Sequence, residues 1–123
     1  MLPPSSLAFI GDAVYTLYMR RRIVEGTDRT VGTLHVSCSR LVNAGAQAAV
    51  FDALVADGAF TDEESEIARR AKNAHLHSRA KSATSSDYHK ATALEAVIGY
   101  AELIGGGRVT ELLALCAELS ERV

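Results

Sequence analysis

The chain is short of the residues that interrupt helices and of those that build covalent frameworks. Its two prolines, Pro3 and Pro4, both fall before residue 5. Proline inside a helix removes a hydrogen bond and clashes with the preceding turn, so nothing of that kind interrupts the later chain. Runs of β-branched residues are missing too, while alanine is abundant. Together these favour an all-α chain. The two cysteines, Cys38 and Cys116, match no CxxC spacing and are too few for a disulfide framework, so both read as reduced, structural thiols. No apolar stretch approaches the roughly 20 residues of a membrane span, and no basic-then-apolar leader opens the chain. A cytoplasmic location without membrane contact is therefore expected. Net charge is −2, so any nucleic-acid contact must come from local basic patches.

Catalytic signatures of other kinds are absent. There is no Gly-x-Ser-x-Gly elbow and no Cys/His nucleophile arrangement. Gly105-Gly106-Gly107 lacks the Gly-Lys-Ser/Thr of a phosphate loop and reads as a helix stop. His75-x-His77, with His35 and Cys38 elsewhere, fits no standard zinc spacing. At 123 residues, the chain is expected to be one domain, 1–123, near the size where dimerisation adds stability.

What the chain does have is two stretches with one grammar. In Leu7-Ala8-Phe9-Ile10-Gly11-Asp12-Ala13-Val14-Tyr15, the residues Ile10, Val14 and Leu17 recur as the buried stripe of an amphipathic helix. Asp12 lies off that stripe, on the side of Tyr15 and Met19, and is the only acid before Glu25. An ionised carboxylate among apolar residues needs a cation, a metal or water, and an arginine partner is the plain alternative to a functional site. Gly11 weakens a helix interior by about 1 kcal/mol against alanine, which implies that another backbone comes close. Thr92-Ala93-Leu94-Glu95-Ala96-Val97-Ile98-Gly99-Tyr100 repeats the pattern, with Glu95 as its single acid. The two helices are expected to cross so that Asp12 and Glu95 meet.

The spacing predicts a first helix over about 6–24, capped by Ser5 or Ser6 and stopping near Gly26, then a loop over 27–32. A helical region from about Val31 to Ala56 follows, divided or bent at Gly45 and closed by Asp57-Gly58. Thr61-Asp62-Glu63-Glu64 reads as a capping box opening a helix to roughly His75. Residues 76–85 read as an exposed loop. A helix from Ser85 or Ser86 carries Glu95 and ends at the three glycines, and a last one spans about 108–121. Of the Arg20-Arg21-Arg22 run, one side chain is expected to neutralise an acid while the others face solvent. The tyrosines read as packing residues, with Tyr88 alone placed to touch a partner. Between Arg69 and Lys90 lie Arg69, Arg70, Lys72, Arg79, Lys81 and Lys90 with His75, His77 and His89, against the single acid Asp87. From the residues alone, this is a solvated charged face or a phosphate grip.

The two stretches resemble the signature halves of the ribonuclease III endonuclease domain. Leu34-His35, Ala44-Gly45-Ala46-Gln47-Ala48 and Arg69-Arg70-Ala71-Lys72-Asn73-Ala74 between them resemble its small Mini-III branch, in register from about Leu7 to Leu113. The resemblance implies an all-α, two-fold dimer packed through the first signature helix. It implies cleavage of double-stranded RNA to 5′-phosphate and 3′-hydroxyl ends, with Asp12 and Glu95 as catalytic ligands of Mg²⁺, for which Mn²⁺ can substitute. Two converging carboxylates are the hard oxygen donors that ion takes. RNA contacts are implied for His35, Arg40, Arg69, Arg70, Lys72, Asn73, His75, Arg79 and Lys81, and the substrate for precursor large-subunit ribosomal RNA. Classical ribonuclease III carries further acids where this chain has Ser5 and Thr92. The Mini-III branch resembles the reduced set. The rival expectation is a degenerate, non-cleaving double-stranded-RNA-binding dimer, and a third is a helical adaptor without RNA contact.

Overall fold

In the computed structural model, which describes residues 2–25, 30–74 and 85–122, the order is α1 (Pro4–Glu25), α2 (Val31–Val42), α3 (Ala44–Ala56), α4 (Asp62–Asn73), α5 (Ser85–Ile104) and α6 (Arg108–Arg122). No strand occurs among the described residues. The all-α expectation is met.

Local chemistry sets the helix ends. α1 starts earlier than the Ser5 or Ser6 cap predicted: Pro4 is its first residue, and the Pro3 carbonyl accepts from the Ser6 and Leu7 amides at 3.0 and 3.2 Å. A first-turn proline gives up only an amide that has no helical partner anyway. The break between α2 and α3 lies at Asn43, not at Gly45. Asn43 has extended backbone, ends α2 and caps α3, its Oδ1 accepting from the Ala46 amide at 2.8 Å. A side chain that can serve an orphan amide outcompetes a glycine that merely permits a bend. α3 ends in a Schellman turn through Gly58 (φ 65°), with Ala59 N–H donating to Leu54 and Gly58 N–H to Val55. The capping box of α4 forms reciprocally between Thr61 and Glu64 at 3.0 and 3.1 Å. Gly105, Gly106 and Gly107 all have positive φ and turn the chain from α5 into α6. The predicted stop at Gly26, residues 27–29 of the predicted loop and the loop over 76–85 (Ser85 apart) lie outside the described residues. Of the rest of the 27–32 loop, Thr30 caps α2, and Val31 and Gly32 already belong to that helix.

α5 is the central helix. It buries Ala91–Leu94, Ala96–Gly99 and Ala101, nearly its full circumference, and packs against α1, α3, α4 and α6. A helix enclosed on all sides needs no amphipathic stripe. α1 contributes Leu7, Ala8, Gly11, Tyr15 and Met19 to the interface with the core. That corrects the expected stripe: Ile10 and Val14 are only half-buried, and Leu17 is 58% exposed. The reason is backbone proximity. A side chain at Gly11 would lie 2.6 Å from the Glu95 carbonyl carbon and 2.9 Å from the Gly99 nitrogen, and one at Gly99 would lie 2.9 Å from the Leu7 carbonyl carbon. Helices this close must meet through their smallest residues at the crossing, which leaves Leu17 facing outward and Ile10 and Val14 only half-buried.

A second tie joins α4 to α6. Glu64, 3% exposed, receives Arg108 Nε on Oε2 at 2.8 Å and Nη2 on Oε1 at 2.7 Å, while Nη2 also donates to the Ala59 carbonyl at 2.8 Å. Burial alone would raise the Glu64 pKa, but Arg108 and the Thr61 contacts overcome it and hold the carboxyl below the usual range. Among the described residues no helix is long and apolar enough to cross a membrane.

Candidate active site

The glycine crossing determines where the acids fall. Asp12 follows Gly11 directly, and Glu95 stands one helical turn before Gly99 on α5. The two carboxyls are hydrogen-bonded to each other, Asp12 exposed and Glu95 half-buried. The predicted meeting occurs. None of the ion pairs among the described residues involves Asp12, so the arginine-paired alternative finds no support there.

The pair is electrostatically strained. Burial, then the hydrogen bond with Asp12 and its charge, push the Glu95 carboxyl up to about 8, with a hydrogen bond from Gln47 opposing the rise. Two acids side by side without a cation share a proton rather than ionise together. A divalent cation would relieve that repulsion, so the donor set fits one. Among the described residues no third His, Cys, Asp or Glu joins the pair. Ser5 is exposed, and Thr92, only 7% exposed, donates its hydroxyl to the Tyr88 carbonyl at 2.9 Å. The positions that hold extra acids in classical ribonuclease III therefore add no charge here, and water and substrate phosphate would complete the shell.

Those of the predicted RNA-contact residues that the structure describes lie on α2 and α4. His35, on α2, lines a crevice against α1 with Arg20, Ile23, Val24 and Cys38. Arg40 is exposed in the last turn of α2. Arg69 is exposed but engaged with Glu66 on its own helix, at 2.7 and 3.0 Å. Its guanidinium lowers the Glu66 pKa. Lys72 lies 5.7 Å from the Phe51 ring centroid and, with Arg69 and Asn73, edges a groove between α3 and α4. Arg70 is half-buried. His75, Arg79 and Lys81 lie outside the described residues. Of the arginine run, Arg21 pairs with Glu25 at 3.5 Å and Arg22 with Glu121 at 3.4 Å, two partners where one was expected. Tyr15 is fully buried, Tyr18 and Tyr100 are half-buried, and Tyr88 is 55% exposed. Cys38 and Cys116 are free and buried.

One residue at the site carries no role in the sequence reading. Gln47 is 1% exposed on α3, its Nε2 donating to the Val42 carbonyl at 3.0 Å and its side chain bonded to Glu95. Its Oε1 has no hydrogen-bond partner. A glutamine among Ala44, Ala46, Ala48, Val50 and Phe51 is the signal that could have exposed it, since a buried amide needs polar company.

Comparison with known proteins places this arrangement. The ribonuclease III domain model matches residues 5–106. A Mini-ribonuclease 3 of Symbiobacterium thermophilum is 39% identical over 122 residues, covering 98% of this chain and 92% of the relative. The Mini-ribonuclease 3 of Streptococcus pneumoniae is 33% identical, covering 94% of this chain and 91% of its own. A crystal structure of a Fusobacterium nucleatum protein superposes with a TM-score of 0.80 at 29% identity, over 96% of this chain and 91% of that one. With that match spanning both acidic stretches, the chain belongs to the ribonuclease III domain family, on its Mini-ribonuclease 3 branch, and is an endoribonuclease.

Proposed function

We propose that the enzyme cleaves double-stranded RNA as a homodimer that depends on Mg²⁺ (Mn²⁺ substituting), leaving 5′-phosphate and 3′-hydroxyl ends. Its substrate in this reading is precursor large-subunit (23S) ribosomal RNA in the cytoplasm. The carrying observation is the hydrogen-bonded Asp12–Glu95 pair, which has no protein cation beside it among the described residues. Asp12 and Glu95 would hold the ion. A divalent metal there supplies activation of water and charge stabilisation on the leaving oxygen. Asp12, being exposed, is the acid an incoming phosphate meets, while Glu95 holds the inner side of the site.

Two features support the duplex and the dimer. α1 turns an apolar ridge outward, with Phe9 82%, Leu17 58% and Val24 56% exposed. A two-fold packing of that ridge would present two acid pairs to opposite strands. His35, Arg40, Arg69, Arg70, Lys72 and Asn73, with His75, Arg79 and Lys81, would grip A-form RNA by backbone and shape. The rival, a non-cleaving duplex-binding dimer, draws on Ser5 and Thr92, which bring no acid to the site.

Incubation of the protein with duplex RNA and Mg²⁺, beside Asp12→Asn and Glu95→Gln, separates the two. Cleavage by the parent that both variants lose is the expected result. Duplex binding without cleavage in all three would establish the rival.

A further inference from the structure

Besides Asp12, Glu95 has a second side-chain partner, and that residue has no assigned part in the chemistry. Gln47 projects from α3 into the core, and its surroundings on that helix, Ala48, Val50, Phe51 and Leu54, are apolar. Packing alone would be served as well by methionine or leucine. What the amide adds is two N–H groups on one nitrogen. One donates to the Val42 carbonyl at 3.0 Å, which also fixes the rotamer, because an amide oxygen cannot face a carbonyl. The amide also hydrogen-bonds the Glu95 carboxyl. Val42 is the last residue of α2, and the next residue, Asn43, clamps that corner through bonds to Ser39 and Arg40 carbonyls at 3.0 and 3.3 Å. The anchor is therefore rigid, and it lies one residue from the cap that sets the direction of α3.

We infer that Gln47 is a positioning residue for the metal-binding acids: it fastens the Glu95 carboxyl, from α3, to the α2–α3 corner. The inference rests on the metal-site reading above. Carboxylate ligands of metals are themselves hydrogen-bonded, and removing such a support typically weakens metal binding by about 10–100-fold. Gln47 touches neither metal nor substrate in this scheme, so it acts only through Glu95.

The test is Mn²⁺ binding to the RNA-free protein, read by electron paramagnetic resonance, for the parent, Gln47→Met and Glu95→Gln. Gln47→Met keeps length and bulk and removes both donors. The expected result is binding by the parent, loss in Glu95→Gln, and binding weakened by about 10-fold or more in Gln47→Met with a cooperative thermal melt retained. In cleavage assays the half-saturating Mg²⁺ concentration rises more than kcat at saturating Mg²⁺ falls, a split that a purely structural residue would not give. Binding by Gln47→Met within about twofold of the parent, with Glu95→Gln deficient, overturns the role of Gln47 and leaves the metal site standing. Equal Mn²⁺ binding by parent and Glu95→Gln removes the metal site itself. Should Gln47→Met not melt cooperatively, Gln47→Leu takes its place, and loss of folding in both assigns Gln47 to the core and overturns the inference.

Discussion

Glu95 converts its surroundings into a pH dependence whose sign can be worked out. In the unfolded chain its carboxyl ionises near 4.5, whereas burial and Asp12 push it up to about 8 in the fold, Gln47 opposing. Between those values the folded state binds the extra proton, so stability is fully present below the lower value and is lost as pH rises through the upper one. Glu64 works in the opposite direction, since Arg108 holds it below its ordinary range. The difference between parent and Glu95→Gln isolates the term. Melting temperature of the metal-free parent should fall relative to Glu95→Gln as pH goes from about 5 to about 8. A carboxylate must shed its proton to ligate a metal, so apparent Mn²⁺ affinity should rise about tenfold per pH unit below about 8 and level off above it. Calorimetry at several pH values checks this, and an affinity that ignores pH would mean Glu95 is no ligand.

At the level of the elements, the α1–α5 crossing and the α4–α6 tie make separate predictions. Gly11→Ala and Gly99→Ala each insert a methyl where backbone already stands. Each should destabilise by about 1–3 kcal/mol or more, the range of overpacking in a rigid contact. Cleavage should fall further than stability, because the same shift moves Asp12 from Glu95, and an ångström of misplacement is worth about 100-fold. Arg108→Ala strands the buried Glu64 and should lower stability by about 3 kcal/mol in chemical denaturation. At permissive temperature it should leave the response to Mg²⁺ concentration unchanged, since none of the hydrogen bonds of Arg108 reaches Asp12 or Glu95 and neither Glu64 nor Arg108 acts on the Glu95 carboxyl. Much of this was legible in the residues. Gly11 announced a close backbone, Thr61 to Glu64 a capping box, and the three glycines a helix stop, because each is a local rule with a local cause. Asn43 and Gln47 were not. Capping at Asn43 depends on a side chain competing with its neighbours for one amide, and Gln47 makes sense only once α3 is laid against α5. The burial of α1 was misread for a related reason. Periodicity reports that Ile10, Val14 and Leu17 share a face, but it does not say whether that face meets the chain's own core or something else.

For the whole molecule, that misread face becomes the prediction. Asp12 sits at the edge of the α1 surface that meets α5, and Leu17 sits on the surface turned away from it. A charge at Leu17 should therefore spare the metal site and strike only at association. If α1 packs on its two-fold mate, both copies of the Leu17 side chain leave water together, each worth about 1.5–3 kcal/mol. Leu17→Glu loses both and adds a repelling pair, which weakens the dimer by at least about 100-fold. The variant should sediment as a monomer at concentrations where the parent sediments as a dimer, with unchanged helical content. It should bind Mn²⁺ like the parent, and its cleavage of duplex RNA should collapse or be reduced to nicking of one strand. A parent that sediments as a monomer at every concentration, or a Leu17→Glu that cuts both strands as well as the parent, would separate catalysis from dimerisation. The outward ridge of Phe9, Leu17 and Val24 would then need another occupant.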